Sequence, residues 1–159
     1  MVVKANFTQD QYIQKWHHDM QLSSRGKFYS TFKENLCFEK YLIKIPCNLK
    51  IWITKLRTYN LKIPIETGRW RNIPVETGRW RNIPVEERIC DMCNENIGDE
   101  IHYLFICKSP ELVRIRENII PEYYTRCPNK QKLSGLLSYC NVNLYKKISS
   151  FIKKLNNVL

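Results

Sequence analysis

Four potential metal ligands lie within eighteen residues near the middle of the chain. Cys90 and Cys93 form a C-x2-C pair, and His102 and Cys107 follow as an H-x4-C pair after eight intervening residues. Three thiolates and one imidazole suit Zn²⁺ in a tetrahedral structural site, which has no open coordination position. The alternative is that four reduced side chains share the core without a metal. The C-x2-C spacing with a later His/Cys pair favours zinc.

The sequence between the two ligand pairs predicts a small hairpin. Asn94, Asn96, Gly98 and Asp99 are turn-forming residues that can reverse the chain. The return segment, residues 101–106, is rich in β-branched and aromatic side chains, which favours a short strand. A zinc-stabilised turn or β-hairpin of the form C-x2-C-x8-H-x4-C is therefore expected at the centre of the fold.

Apolar residues at helical spacing flank this motif on both sides, so a mainly α fold is predicted. Pro110 at a first helical position and Pro121 at an end bound one helix after the motif. Cys37 and Cys47 are expected to be small buried side chains and not ligands. Helices are expected at residues 8–22, 48–60, 110–120, 130–139 and 143–155, with one or two short ones within 28–45.

These patterns divide the chain into four segments. A helical N-terminal segment covers residues 1–62, and a basic segment with a sequence duplication covers 63–89. The zinc-binding motif covers 90–107, and a helical C-terminal segment covers 108–159.

The chain carries 26 Lys and Arg residues against 15 Asp and Glu residues, which gives a net charge of +11. This excess predicts a polyanionic partner, although a soluble protein with a merely basic surface has the same composition. No long apolar run opens the sequence, so no signal peptide is expected. No uncharged stretch is both long and apolar enough to span a bilayer, so no membrane partner is expected. Seven cysteines in a chain of this length are not typical of a secreted disulfide scaffold, so a reducing compartment inside the cell, the nucleus or the cytoplasm, is expected, with free thiols available for metal.

A ten-residue unit, ETGRWRNIPV, occurs twice in succession at residues 66–75 and 76–85. Two copies are too few for a solenoid, so one copy is expected to dock while the other loops out. Each copy carries Arg-Trp-Arg, which can hold phosphate and stack on an unpaired base. Alternatively, a tryptophan packs against the zinc motif and the arginines pair with nearby glutamates. The candidate nucleic-acid contacts are Lys50, Lys55, Arg57, Arg69, Trp70, Arg71, Arg79, Trp80 and Arg81.

Three stretches of sequence, in and before the Cys/His motif, together form a longer pattern. They are KLRTYNLKIPIETGRW at residues 55–70, VEERICDMCN at 85–94 and DEIHYLFIC at 99–107. Together they resemble the C-terminal zinc-binding region of non-LTR (LINE-type) retrotransposon reverse transcriptases. The likeness is densest between Ile53 and Arg116 and fainter in the helical flanks. The family pattern has one copy of the Gly-Arg-Trp segment, so the duplication is a departure from it.

The resemblance implies that Cys90, Cys93, His102 and Cys107 bind Zn²⁺ and that the region helps to hold RNA or DNA. Single-stranded or structured RNA is the favoured partner, because tryptophan can stack only on unpaired bases. The sequence shows neither the paired aspartates of a polymerase nor the acids of an endonuclease. The chain is therefore expected to be a tail or remnant of such a protein and not an enzyme. The alternative function is a structural or protein-interaction zinc module with no nucleic-acid role.

Overall fold

A computed structural model describes residues 2–68, 72–74, 80–138 and 141–158, with only the backbone described at 2–7, 24, 72–74, 80–82 and 158. This part of the chain is mainly helical. None of its helices is long and apolar enough to cross a lipid bilayer.

The described helices and strands follow one another along the chain with short connections. A 3-10 turn covers Val85–Glu87, and a single-turn π-helix covers His102–Ile106. The other elements are α1 (Val2–Leu22), α2 (Ser24–Ser30), α3 (Tyr41–Lys44), α4 (Cys47–Arg57), α5 (Pro64–Thr67), β1 (Asn72–Pro74), β2 (Trp80–Asn82), α6 (Pro110–Glu117), α7 (Glu122–Thr125), α8 (Lys130–Ser138) and α9 (Val142–Val158).

Helices α4 and α9 form the central pair of the core and make the most extensive contact between described elements. Apolar side chains recur along α9 at intervals of three and four residues, so its inner side faces this core. Each fully buried aliphatic or aromatic side chain contributes about 1.5–3 kcal/mol relative to exposure. The buried apolar residues of the two helices are Ile53, Leu56, Tyr145, Ile148, Phe151, Ile152 and Leu155.

Helix α1 lies at the edge of the molecule and packs mainly against α2. Its predicted apolar stripe, which includes Ile13, Trp16 and Met20, is only half-buried. Gly26 permits the close crossing of the two helices, because a Cβ atom there would overlap the carbonyl group of Met20. Tyr12 remains 68% exposed, so α1 adds little to the core.

The mainly α fold predicted from the sequence is confirmed, and the helices near 110, 130 and 143 lie close to their expected bounds. The first helix ends at Leu22 as expected but begins at Val2, six residues before its expected start. The predicted hairpin is represented by one antiparallel bridge between Ile89 and Ile97. The strand predicted at residues 101–106 is wrong, because this segment is helical. Its aromatic and branched residues fill the core from a helical turn, and packing there overrides their preference for strands.

The expectations for two cysteines are also wrong, since Cys37 and Cys47 are exposed. Cys47 is the first residue of α4, which follows Pro46 and has no side-chain cap from Asn48. Cys37 lies between α2 and α3, where its sulfur is 3.1 Å from the Lys33 ammonium.

The two copies of the ten-residue unit pair with each other. Strands β1 and β2 are antiparallel, with Asn72 opposite Asn82 and Ile73 opposite Arg81. Asn72 and Asn82 occupy the same position in their respective copies. The expectation that one copy docks while the other loops out is therefore replaced by a hairpin to which both copies contribute a strand.

Candidate metal centre

The structure brings together all four side chains of the C-x2-C-x8-H-x4-C motif. One potential ligand atom from each of Cys90, Cys93, His102 and Cys107 lies within 4.8 Å of the others. The sulfur atoms of Cys90 and Cys107 are 3.8 Å apart. The sulfur of Cys93 is 3.2 Å from Nε2 of His102. Such a cluster can hold a metal ion.

The first ligand pair lies on a tight turn. The Asn94 N–H donates to the Cys90 carbonyl at 3.0 Å, and Asn94 itself has a φ of 56°. Asparagine tolerates this left-handed conformation better than most residues, so the turn is encoded locally. The Met92 N–H also points at the Cys90 sulfur, at 3.4 Å.

Gly98 closes the hairpin under this turn. Its N–H donates to the Arg88 carbonyl at 2.8 Å, and its carbonyl accepts from the Ile65 N–H at 3.2 Å. A Cβ atom at Gly98 would lie 2.9 Å from a ring carbon of Pro64 and 3.1 Å from the Cα of Cys90. A glycine is thus required for α5 to approach the ligand turn.

The second ligand pair is brought together by the π-helix. The Asp99 carboxylate accepts a hydrogen bond from the His102 N–H at 2.7 Å. The Cys107 N–H then donates to the His102 carbonyl, also at 2.7 Å. In a regular α-helix, residues five apart point about 140° away from each other around the axis. The wider π turn brings the two ligands round towards one side.

Burial governs the ionisation of the cluster. Burial and the neighbouring Cys90 together raise the pKa of the Cys107 thiol to about 12, against a hydrogen bond from the backbone of Ser109 that lowers it. For Cys93, burial raises the pKa, but backbone hydrogen bonds with Glu95 and the neighbouring thiols outweigh burial and lower it. Cys93 is therefore the thiol that ionises more readily of the two.

The imidazole of His102 is held in its neutral form. Burial lowers the pKa of His102, and the positive charge of Arg116 lowers it further, while Asp99 opposes them. Neutral imidazole is the form that binds metals, so the site favours the ligand state of this histidine.

The sequence pattern predicted which four side chains come together in the cluster but not the buried cation beside them. Arg116 is only 7% exposed, and its Nη2 donates to the carbonyl of Cys107 at 2.6 Å. A cluster of three thiolates accumulates negative charge, which a nearby guanidinium offsets. The position of Arg116 in the sequence could have revealed its burial. It follows Leu112 by four residues, so both side chains lie on the inner side of α6.

Of the basic residues predicted to contact nucleic acid, the structure describes the side chains of Lys50, Lys55 and Arg57, and none of these three is fully exposed. Arg57 is 2% exposed, so its assignment to a phosphate-binding surface is wrong. Its guanidinium pairs with Glu39 at 2.7 Å inside the molecule. Lys50 donates to the Leu42 carbonyl at 3.0 Å, and the Lys55 ammonium lies 4.6 Å from the centre of the Trp52 ring.

The other predicted contacts concern the duplicated segment. Arg69, Trp70, Arg71 and Arg79 lie outside the described residues. Trp80 and Arg81 are placed in β2 by their backbone alone, so the structure does not describe where their side chains lie. Among the nearby glutamates, Glu66 forms an ion pair with Arg25, at 3.4 Å.

No protein-family model, no curated protein and no solved structure matches this chain. The resemblance to retrotransposon reverse transcriptases stays a prediction, and the function is inferred from the geometry of the site.

Proposed function

We propose that this chain is a nucleic-acid-binding module whose basic surface is held in shape by a structural Zn²⁺ ion. Cys90, Cys93, His102 and Cys107 are the four ligands. The observation that supports the proposal is the convergence of these four side chains, from two separate turns, on a space 4.8 Å across.

The distances within the cluster suit zinc. A tetrahedral ion with Zn–S bonds of about 2.3 Å places two sulfurs about 3.8 Å apart, and the Cys90 and Cys107 sulfurs are separated by 3.8 Å. Zn–N bonds of about 2.1 Å imply a sulfur-to-nitrogen distance of about 3.6 Å, and the Cys93 sulfur and His102 Nε2 are 3.2 Å apart. Three thiolates among four ligands favour Zn²⁺ over Mg²⁺ or Ca²⁺, which prefer oxygen.

Four protein ligands complete a tetrahedron and leave no position for water or substrate, which is typical of a structural site. Thiolates that bind zinc are also not free to act as nucleophiles. We therefore propose no enzymatic activity for this region. The role of the metal site is structural, because the ion joins the turn at Cys90 and Cys93 to the π-helix that leads into α6.

The nucleic-acid part of the proposal rests on charge. A net charge of +11 on 159 residues is strongly basic, and polyanions are the natural partners of such proteins. RNA with unpaired bases is the partner we favour, since each Arg-Trp-Arg segment offers one stacking ring between two phosphate-binding groups. From the sequence resemblance we also propose that the chain derives from the tail of a retrotransposon reverse transcriptase. We propose that it acts in the nucleus or the cytoplasm.

A protein-interaction module is the second candidate, and exposed apolar side chains favour it. Tyr12 and Leu36, which are 68% and 41% exposed, line one open groove together with Ile13. Salt-insensitive binding to a protein would support this second function.

The test uses the full chain, purified under reducing conditions. We expect one Zn²⁺ per molecule by elemental analysis, and its loss in Cys93→Ser. Cys127→Ser is the matched control, because Cys127 is a free and exposed cysteine outside the cluster. A folded, reduced wild type without zinc would contradict the metal assignment.

Binding to single-stranded RNA is measured on the same protein. Replacing Arg69, Arg71, Arg79 and Arg81 by Gln should weaken the dependence of affinity on salt, because each phosphate contact releases counterions. If wild-type protein loaded with zinc fails to bind RNA at low salt, the nucleic-acid function is wrong.

A further inference from the structure

Helix α9 exposes a surface whose charged residues are all lysines. Between Val142 and Val158 the sequence has four lysines and no acidic residue. Lys147, Lys153 and Lys154 are exposed, and Lys146 is half-buried. The opposite side of the helix carries the buried Tyr145, Ile148, Phe151, Ile152 and Leu155. We call the four residues Lys146, Lys147, Lys153 and Lys154 the lysine face.

Helix geometry aligns these lysines in two rows. Lys146 and Lys153 are seven residues apart, as are Lys147 and Lys154. Seven residues correspond to nearly two full turns, so each pair lies on one side with a separation of about 10 Å along the axis. The apolar side of α9 fixes this orientation, because turning the lysines inwards would expose the centre of the core.

Several exposed cations of the described residues form ion pairs with acidic side chains. Lys15 pairs with Asp19 at 3.3 Å, and Arg126 pairs with Glu122 at 2.8 Å. Lys108 at the metal cluster pairs with Glu95, at 2.9 Å. Among the residues that the structure describes, no salt bridge involves any of the four lysines of the lysine face. Its four positive charges therefore have no ion-pair partner within this part of the molecule.

We propose that the lysine face of α9 binds the phosphate backbone of nucleic acid. This inference rests on the proposed function and assigns it a surface that is independent of the duplicated segment. Lysine is a flexible point charge suited to phosphate contacts that carry no base specificity. An anionic membrane fits less well, because an interfacial helix must insert its apolar side into the lipid. In α9 that side is buried in the protein core.

A purely structural role gives a different expectation. Lysines near the C-terminal end of a helix interact favourably with the negative end of the helix dipole. This interaction adds a few tenths of a kcal/mol to the stability of the helix. Lys153 and Lys154 lie in the last two turns of α9. Their replacement would then lower the melting temperature slightly and leave RNA binding unchanged.

The test replaces all four lysines of the lysine face by Gln in the full, zinc-loaded chain. The probe is an oligouridine, and its affinity is measured over a range of salt concentrations. Each lost phosphate contact lowers the slope of log affinity against log salt by about 0.7 for a single strand. We expect the slope to fall by about 3 and the affinity at low salt to fall at least tenfold.

Two control variants are matched to this change. Replacing the same four lysines by Arg keeps the charge, so it should preserve the slope. Replacing Lys15, Lys27, Lys40 and Lys130, which are exposed residues off α9, removes the same net charge. That variant should lower the slope of log affinity against log salt by less than about 0.7, which is the change expected for one phosphate contact. Circular dichroism and zinc content show that each variant is folded.

The outcomes separate the two levels of the proposal. A wild type that binds oligouridine, together with an α9 Gln variant that keeps its slope, overturns this inference and leaves the proposed function standing. An equal loss in the off-helix variant overturns it as well, since net charge alone would then explain binding. Stronger wild-type binding to phosphatidylserine vesicles than to oligouridine also overturns it. A wild type that binds no RNA overturns the proposed function itself.

Discussion

At the scale of single residues, the least expected feature is the buried charge at Arg57. Its guanidinium carbon lies 4.5 Å from the centre of the Phe32 ring and 5.2 Å from that of Tyr41. Its two ends donate to Glu39 at 2.7 Å and to the Tyr145 hydroxyl at 2.8 Å. A buried charge is tolerated only when it is paired and hydrogen-bonded, and here the aromatic rings add favourable cation–π contacts.

Glu39 is the acidic partner of this pair, and the pH dependence of stability should report it. Burial raises the pKa of Glu39, but hydrogen bonding to Tyr29 and the charges of Arg57 and Lys33 outweigh burial and lower it. A carboxyl group with a lowered pKa in the folded state stabilises the protein above its unfolded pKa of about 4.5. That contribution is lost as the pH falls through the folded pKa.

We predict that Glu39→Gln lowers the free energy of unfolding at pH 7 by about 3 kcal/mol, because it leaves Arg57 buried without its carboxylate. The variant should also lose part of the acid-induced fall in stability below about pH 4.5. Urea denaturation at a series of pH values measures both effects. Glu122→Gln is the control, since Glu122 forms an exposed pair with Arg126. Equal behaviour of the two variants would contradict the prediction.

At the scale of elements, the duplicated segment is fixed at its two ends by one side chain. Arg88 donates to the Ile65 carbonyl at 2.9 Å and to the Ile83 carbonyl at 2.8 Å. A Cβ atom at Gly68 would lie 2.7 Å from Arg88, so this side chain also covers the start of the first copy. The start of one copy and the end of the other are thus docked together, with the β1–β2 hairpin between them.

This arrangement predicts that ten residues can be removed at little cost. Deleting Glu76–Val85 leaves one complete copy, so both docked ends keep their sequence. Four residues, 69–72, would then connect Gly68 to the isoleucine that replaces Ile83, and four residues can span up to about 13 Å. The free energy of unfolding should change by no more than about 1 kcal/mol. Thermal and urea denaturation of the shortened chain measure the change.

A double-mutant cycle with Arg88→Met tests the reason for this tolerance. If Arg88 joins the same two ends in both proteins, the substitution should destabilise the parent and the shortened chain equally. A large loss of stability on deletion alone would show that both copies are needed in the core.

The elements differ in how far the sequence predicted them. Helix α9 was predictable because its apolar spacing is regular, and α6 because Pro110 marks its start. The π-helix could not be predicted, because its residues favour strands. Its form depends on core packing and on the hydrogen bond that the Asp99 carboxylate accepts from the His102 N–H. Arg57 was expected to be exposed as a nucleic-acid contact, and the sequence pattern gave no sign that Arg57 or Arg116 would be buried. Their burial depends on tertiary partners, Glu39 and the Cys107 carbonyl, that local sequence does not reveal.

At the scale of the whole molecule, the metal cluster is continuous with the helical core. Cys90 and Cys107 are fully buried, and they belong to the same apolar cluster as Tyr103, Leu104 and Phe105. The π-helix makes further contacts with α6 and α7, and α6 contacts α9. The four side chains of the cluster therefore belong to a part of the core that connects to the central helix pair.

Removal of the metal should consequently affect more than the ligand turn. Structural zinc contributes an apparent ~10–16 kcal/mol in small fingers, which is comparable with the stability of a whole domain. We predict that a strong chelator lowers the melting temperature and removes hydrogen-exchange protection from residues 90–107 first. Protection in α9 should then fall too, because Tyr103, Leu104 and Phe105 share its core. Added Zn²⁺ should restore both, and Cys127→Ser should behave as wild type. An unchanged melting curve after verified loss of zinc would show that packing alone holds the ligands in place.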